Sequence, residues 1–112
     1  MALRVGIIGC GGIARAHVHA YQAEGAVVAA VTDSNPDAAR QLAADLDGVK
    51  VYEDFRALLD SGDVQVVSIC SPPVAHEEAA VYALARGIHV LCEKPMAFDA
   101  DAARRMRAAA EA

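Results

Sequence analysis

The sequence predicts an α/β fold, a doubly wound parallel sheet with helices on both faces. Three observations carry that expectation. Short, almost wholly apolar runs alternate with stretches of helical period along all 112 residues, the pattern of right-handed βαβ crossovers. Those runs lack polar alternation, as strands buried on both faces require. Glycines stand where helices must stop.

Taken in order, Val5–Ile8 is the first strand, broken at Gly9-Cys10-Gly11-Gly12 before a helix over Ile13–Glu24. Gly25 stops that helix, and Ala26–Thr32 is a second buried strand ending at Asp33. Asn35 caps the next helix with Pro36 at its first position, Ala39, Leu42, Ala43 and Leu46 forming its inner face and Gly48 closing it. Val49–Tyr52 is a short third strand, and Asp54 caps a brief helix carrying Phe55, Leu58 and Leu59 that ends at Gly62. Val64–Cys70 is the fourth strand, broken by Ser71-Pro72-Pro73, because proline cannot extend a ladder. A helix of about ten residues runs to Arg86 with Gly87 as its stop, and Ile88–Cys92 is the fifth strand. Asp99 caps a last helix with Ala102, Ala103, Met106 and Ala110 inward. The expected strand order is 3-2-1-4-5. A complete fold of this kind would add a sixth strand, which is expected to be absent from residues 1–112.

Bulk composition narrows the function. A net charge of −5 argues against a nucleic-acid partner. Arg104, Arg105 and Arg107 read as a solvated helix face. No apolar run is long enough to span a bilayer, and glycines interrupt the N-terminal stretch where a signal peptide would need an apolar core. A cytoplasmic protein is the default expectation. Cys10, Cys70 and Cys92 are odd in number and far apart, so they read as small buried side chains and not as a disulfide framework; no metal site is expected.

The chemistry concentrates at predicted strand ends. Strand, glycine turn and helix in succession start a Rossmann-like dinucleotide-binding unit: Gly9 permits the tight turn, Gly11 lets the backbone approach a pyrophosphate, and Ala14 keeps the helix near the strand. The free N–H groups of the new helix supply an anion site. Asp33 stands 24 positions beyond Gly9, where a carboxylate can accept hydrogen bonds from a ribose; the same residue type also serves as a cap or turn residue, and both roles can hold at once. Its charge would repel a 2′-phosphate, which favours NAD over NADP. His76, after the two prolines, could touch a ligand or satisfy backbone groups. His17, His19 and His89 show no partner pattern and read as surface or packing histidines. In Cys92-Glu93-Lys94-Pro95 the charged pair is either a surface ion pair or places Lys94 to bind a substrate oxygen and move its proton. The Lys94–Pro95 bond is a candidate cis peptide.

Gly9-Cys10-Gly11-Gly12-Ile13-Ala14, Asp33, Ser71-Pro72-Pro73-x-x-His76 and Cys92-Glu93-Lys94-Pro95-Met96-Ala97 together closely resemble the N-terminal half of the Gfo/Idh/MocA oxidoreductases. The resemblance covers essentially the whole chain, and Glu-Lys-Pro on a fifth strand is its most specific part. It implies an NAD(P)-dependent dehydrogenase acting on a sugar, cyclitol or similar polyol. By that resemblance Gly9, Gly11, Gly12 and Ile13 surround the pyrophosphate and Asp33 binds the adenosine ribose. Ser71, Pro72 and His76 line the nicotinamide side, Glu93 contacts the nicotinamide ribose, and Lys94 binds substrate and assists proton transfer. Pro73 stands where many relatives have Asn, so one polar contact is expected to be lost. Family members continue into a second α/β domain that carries the substrate pocket; none of it is in these residues, so the chain alone is expected to bind NAD(H) without turnover. The alternative is a free-standing NAD(P)-binding or sensing module, and a half-enzyme completed by another polypeptide or by a homo-oligomer is a third reading. A FAD-type domain fits less well, because it usually has Glu where Asp33 stands and would not explain Glu93-Lys94-Pro95.

Overall fold

The computed structural model describes residues 2–94, 97 and 99–112, with Pro73 described by its backbone alone. The proposed cis bond at Pro95, the side chain of Pro73 and the Met96 end of the last motif therefore lie outside the described residues. Five parallel strands form one sheet in the order β3-β2-β1-β4-β5: β1 (Arg4–Ile8), β2 (Val27–Thr32), β3 (Lys50–Val51), β4 (Val66–Ile69) and β5 (His89–Cys92). Between and after them come α1 (Gly12–Ala23), α2 (Pro36–Ala44), α3 (Phe55–Asp60), α4 (His76–Ala85) and α5 (Ala100–Glu111), with a 3-10 turn at Pro73–Ala75 before α4.

Helix starts follow local side-chain chemistry. Asn35 accepts from the Asp37 amide at 3.0 Å, Asp54 from Ala57 at 2.8 Å and Asp99 from Ala102 at 2.7 Å, the caps expected of these residue types. The sheet divides the interior in two. Val5, Ile7, Val28 and Val31 face Ala14 and Val18 of α1 and Ala39 and Leu42 of α2. On the other face Ile8, Val67 and Ile69 meet Leu58 and Leu59 of α3, Ala79, Ala80 and Ala83 of α4, and Met106 of α5. Alanine dominates the α4 contact, which lets helix and sheet come close.

Several boundaries are tighter than the apolar runs suggest. β3 holds only two residues, because Lys50 and Val51 alone pair with Ala30 and Val31 and both lie exposed on the sheet edge. Val64 is buried yet precedes the β4 ladder, and α2 ends at Ala44, before the half-buried Leu46. On α5 the inner face carries Ala102 and Met106, whereas Ala110, expected inward, is exposed. The register sets Ile8 beside Thr32 and Ile69, and Ile69 beside Cys92. Every strand therefore releases its next residue onto one rim: Gly9, Asp33, Tyr52, Cys70 and Glu93.

Candidate functional site

A cleft of about 880 Å³ runs along that rim, lined from Glu53 and Phe55 after β3, through Asp33 and the glycine turn, to Ser71, Glu93 and Lys94. With strands about 4.8 Å apart, five of them span about 19 Å, a floor suited to an elongated ligand. The volume falls in the upper part of the range for small-molecule sites, roughly 300–1,000 Å³.

The glycine turn is built by the sheet itself. Gly9 has φ of +91°, and a Cβ there would lie 2.5 Å from the Ser71 nitrogen, so only glycine fits. Gly9 N–H donates to the Thr32 carbonyl at 2.9 Å and Cys70 N–H to that of Ile8 at 2.7 Å, clamping the turn between its neighbours. Gly11 differs: a Cβ there would meet nothing within 4 Å, so the space it leaves opens on the cleft. Ala14 is fully buried, holding α1 against the sheet. Among the described residues no side chain caps α1, and its first turn carries no acid. The Ala14 amide donates to the Gly11 carbonyl at 3.1 Å, which leaves the amides of Gly12 and Ile13 available to an anion. Asp33 braces the turn from the next strand: one carboxylate oxygen accepts from the Cys10 amide at 2.6 Å, the other from the Asn35 amide at 2.7 Å. Opposite, the Ser71 hydroxyl oxygen is buried and has no hydrogen-bond partner among the described residues. An open helix terminus, a glycine cradle and an orphaned hydroxyl along one cleft fit a dinucleotide.

The family model described as an oxidoreductase family with an NAD-binding Rossmann fold, that of the Gfo/Idh/MocA proteins, matches residues 3–112. The chain belongs to that family. It is 43% identical over 106 residues to an inositol 2-dehydrogenase of Streptomyces avermitilis and 41% identical over 109 residues to one of Pseudomonas syringae, covering 93% and 95% of the chain. Those matches take in 31% and 32% of the relatives, so the chain spans about a third of the length of the curated relatives it matches. The fold is similar to that of myo-inositol dehydrogenase from Lactobacillus casei in complex with NAD(H) and myo-inositol (TM-score 0.91, 35% identity, 97% of this chain and 33% of that one). It is also similar to a 3-ketoreductase from Actinomadura kijaniata with NADP and TDP-benzene (TM-score 0.89, 36% identity, 99% of this chain and 34% of that one).

Within this Gfo/Idh/MocA domain, most of the residues singled out by sequence meet in the cleft: Gly9, Gly11, Ile13, Asp33, Ser71, Pro72, Glu93 and Lys94 all line it. Gly12 and His76 do not. Gly12 is exposed at the first position of α1. His76 is 1% exposed, its Nε2–H donating to the Ser71 carbonyl and its Nδ1 lying 3.1 Å from Cys92 Sγ. It braces the proline loop from beneath.

His17 is the residue that sequence reasoning missed. Its Nε2 lies 2.7 Å from a carboxylate oxygen of Glu93 and its Nδ1 lies 3.0 Å from the Ser68 hydroxyl, which also meets the Tyr21 hydroxyl at 2.7 Å. The signal was present: Ala14, His17, Val18 and Tyr21 share the sheet-facing stripe of α1, and a serine inside an apolar strand needs a partner. The His17 hydrogen bond, with help from the Lys94 amide, holds the Glu93 carboxyl below the usual carboxylate range. A depressed folded-state value contributes stability above the ordinary 4.5, lost as pH falls through the folded value. Glu93→Gln is therefore expected to flatten the acid limb of a stability-versus-pH curve below about pH 4.5, read by urea unfolding at successive pH values.

The three cysteines stand at the ends of β1, β4 and β5 near the same rim. Burial first, and then the Asp33 charge, pushes Cys10 up to about 12. Burial and then Glu93 does the same to Cys70, and Cys92 moves up for the same two reasons. Among the described residues no group of three or more His, Cys, Asp or Glu could hold a metal ion, and no helix is long and apolar enough to cross a membrane. Iodoacetamide at pH 8 is expected to alkylate Cys10 and Cys70 at least about a hundredfold more slowly in the native chain than in urea, because thiolate is the reacting form. Mass-spectrometric counting of labelled residues reads this.

Proposed function

We propose that the cleft binds NAD(H), and that the chain serves as the cofactor-binding part of a dehydrogenase acting on a cyclitol, sugar or similar polyol. The observation that carries this reading is the continuity of the cleft, with the glycine turn at its centre, Asp33 on one side and Glu93-Lys94 on the other. The inositol 2-dehydrogenase relatives and the neighbour bound to NAD(H) and myo-inositol support it.

In this arrangement the amides at the start of α1 hold the pyrophosphate, and Asp33 accepts from the adenosine ribose while keeping its bonds to Cys10 and Asn35. The carboxylates of Glu53 and Asp54 line the same end of the cleft, so a 2′-phosphate would meet three negative charges; NAD is favoured over NADP. Ser71 and Glu93 offer polar groups to the nicotinamide half. A bound nicotinamide supplies the hydride acceptor or donor. Lys94, exposed at the end of β5, donates an N–H to the substrate oxygen and holds the proton that moves as the alcohol and carbonyl interconvert.

Fluorescence titration of the purified chain with NADH and NADPH tests the binding step. Saturable NADH binding with weaker NADPH binding is expected. Absence of binding by either overturns it. Binding by a chain that accepts no hydride from any polyol, even when joined to the remainder of a relative, would instead favour a non-catalytic nucleotide-binding module.

A further inference from the structure

We propose that His17 is a positioning residue for the Glu93-Lys94 turn, fixed in direction by a hydrogen-bond chain running from Tyr21 through Ser68. The inference rests on the reading of the cleft as an NAD(H) site and adds to it a residue that does not line the cleft.

The direction of the chain follows from which atoms carry hydrogen. The Glu93 carboxylate can only accept, so His17 Nε2–H donates to it. In the neutral imidazole Nδ1 is then an acceptor, and its partner among the described residues is the Ser68 hydroxyl at 3.0 Å. Ser68 commits its single hydrogen there, and the Tyr21 hydroxyl donates to the Ser68 oxygen at 2.7 Å. Each hydrogen has one place. Should the ring take up a proton, Nδ1–H donates to Ser68 and the hydroxyl hydrogens turn toward Tyr21; the bond to Glu93 is kept in both states.

Position makes this bond consequential. The His17 side chain is 12% exposed and Ser68 is fully buried, so water competes little for these groups. The other Glu93 oxygen accepts from the Lys94 amide at 3.2 Å, and the Glu93 amide donates to the Ile69 carbonyl at 2.9 Å. Glu93 is thus tied to α1, to β4 and to its own turn, and Lys94 leaves from a fixed point. Without His17 the carboxylate loses its only described side-chain anchor and can swing into the cleft it lines. The adenosine end, at Asp33 and Glu53 across the sheet, shares none of these bonds.

The test compares affinities for NADH and for ADP, which occupies the adenosine and phosphate end alone, in the wild-type chain and in the variants His17→Ala, His17→Gln and Glu93→Gln. Glutamine keeps an N–H near the position of Nε2. ADP affinity is expected to stay within about twofold throughout, while NADH affinity falls about tenfold in His17→Ala and Glu93→Gln and recovers to within about threefold in His17→Gln. A His17→Ala/Glu93→Gln double variant is expected to lose no more than either single one. Unchanged NADH affinity in His17→Ala overturns the proposal, whatever Glu93→Gln does. So does a parallel fall of ADP and NADH in His17→Ala that His17→Gln does not repair, which would mean that His17 only shapes α1. A wild-type chain that binds neither probe overturns the cofactor reading itself, and this inference with it.

Discussion

Gly9→Ala is expected to cost the chain its stable fold, whereas Gly11→Ala, two positions on, should leave the fold and remove the ligand. At Gly9 the backbone sits at φ +91°, and an added Cβ would lie 2.5 Å from the Ser71 nitrogen and 2.7 Å from the Cys70 carbonyl carbon. Those are backbone atoms of the segment leaving β4, held to β1 by the Cys70 amide, and cannot turn aside. Left-handed strain of about 1–3 kcal/mol adds to overpacking of similar size. A fall in Tm of at least about 10 °C, or insoluble protein, is the expected outcome. At Gly11 the φ is −79° and a Cβ would meet nothing within 4 Å, so the cost is that of alanine at an N-cap, within about 1 kcal/mol. The new methyl enters the space proposed for the pyrophosphate, and NADH affinity should fall about tenfold or more. Calorimetric melting beside NADH titration of both variants reads the contrast. Equal behaviour of the two would contradict the distinct roles assigned to them.

Asp33 carries the second large effect, because one carboxylate serves both the turn and the proposed ribose site. Asp33→Ala leaves the amide of the buried Cys10 without its acceptor, a loss of about 1–3 kcal/mol, and takes away the group proposed to receive the ribose hydroxyls. NADH affinity is expected to drop about 10–100-fold. Asp33→Asn separates the two roles, since its amide oxygen can still accept from Cys10. It should melt near the wild type yet discriminate less between NADH and NADPH, because a charge facing the 2′-phosphate is gone. Paired melting curves and titrations with the two cofactors check this; an undiminished preference for NADH in Asp33→Asn would move the discrimination to Glu53 and Asp54.

Much of this architecture is legible in the sequence because its causes are local. Asn35, Asp54 and Asp99 each cap through an amide two or three residues ahead, and Gly25, Gly62 and Gly87 leave their helices at positive φ. Burial on both faces makes the β1, β2 and β4 runs unbroken, and a chain of alternating strands and helices leaves few parallel topologies. The floor of the cleft follows from the same order. What could not be read depends on partners far along the chain. The stripe it shares with Ala14 and Val18 turns His17 toward the sheet, but its partners Ser68 and Glu93 lie 51 and 76 positions away, and nothing near it hints at a carboxylate. His76 sits beside the motif that suggested ligand contact, yet lies under the loop and not on it; only packing decides which way its ring turns. Glu53 and Asp54 line the cleft from just beyond β3, where sequence reading assigns Asp54 only a cap and Glu53 no role.

Amide chemical shifts of the ¹⁵N-labelled chain, followed as NAD⁺ is added, test the central claim most directly. Saturable changes are expected together at Gly9 to Ile13, at Asp33 and Ser34, at Ser71 and at Glu93 and Lys94, the amides that border the cleft across the sheet. Residues of the groove between α4 and α5, such as Leu84 and Ala103, should not move. Changes confined to that groove, or none at millimolar NAD⁺, would contradict the assignment of the rim as the cofactor site.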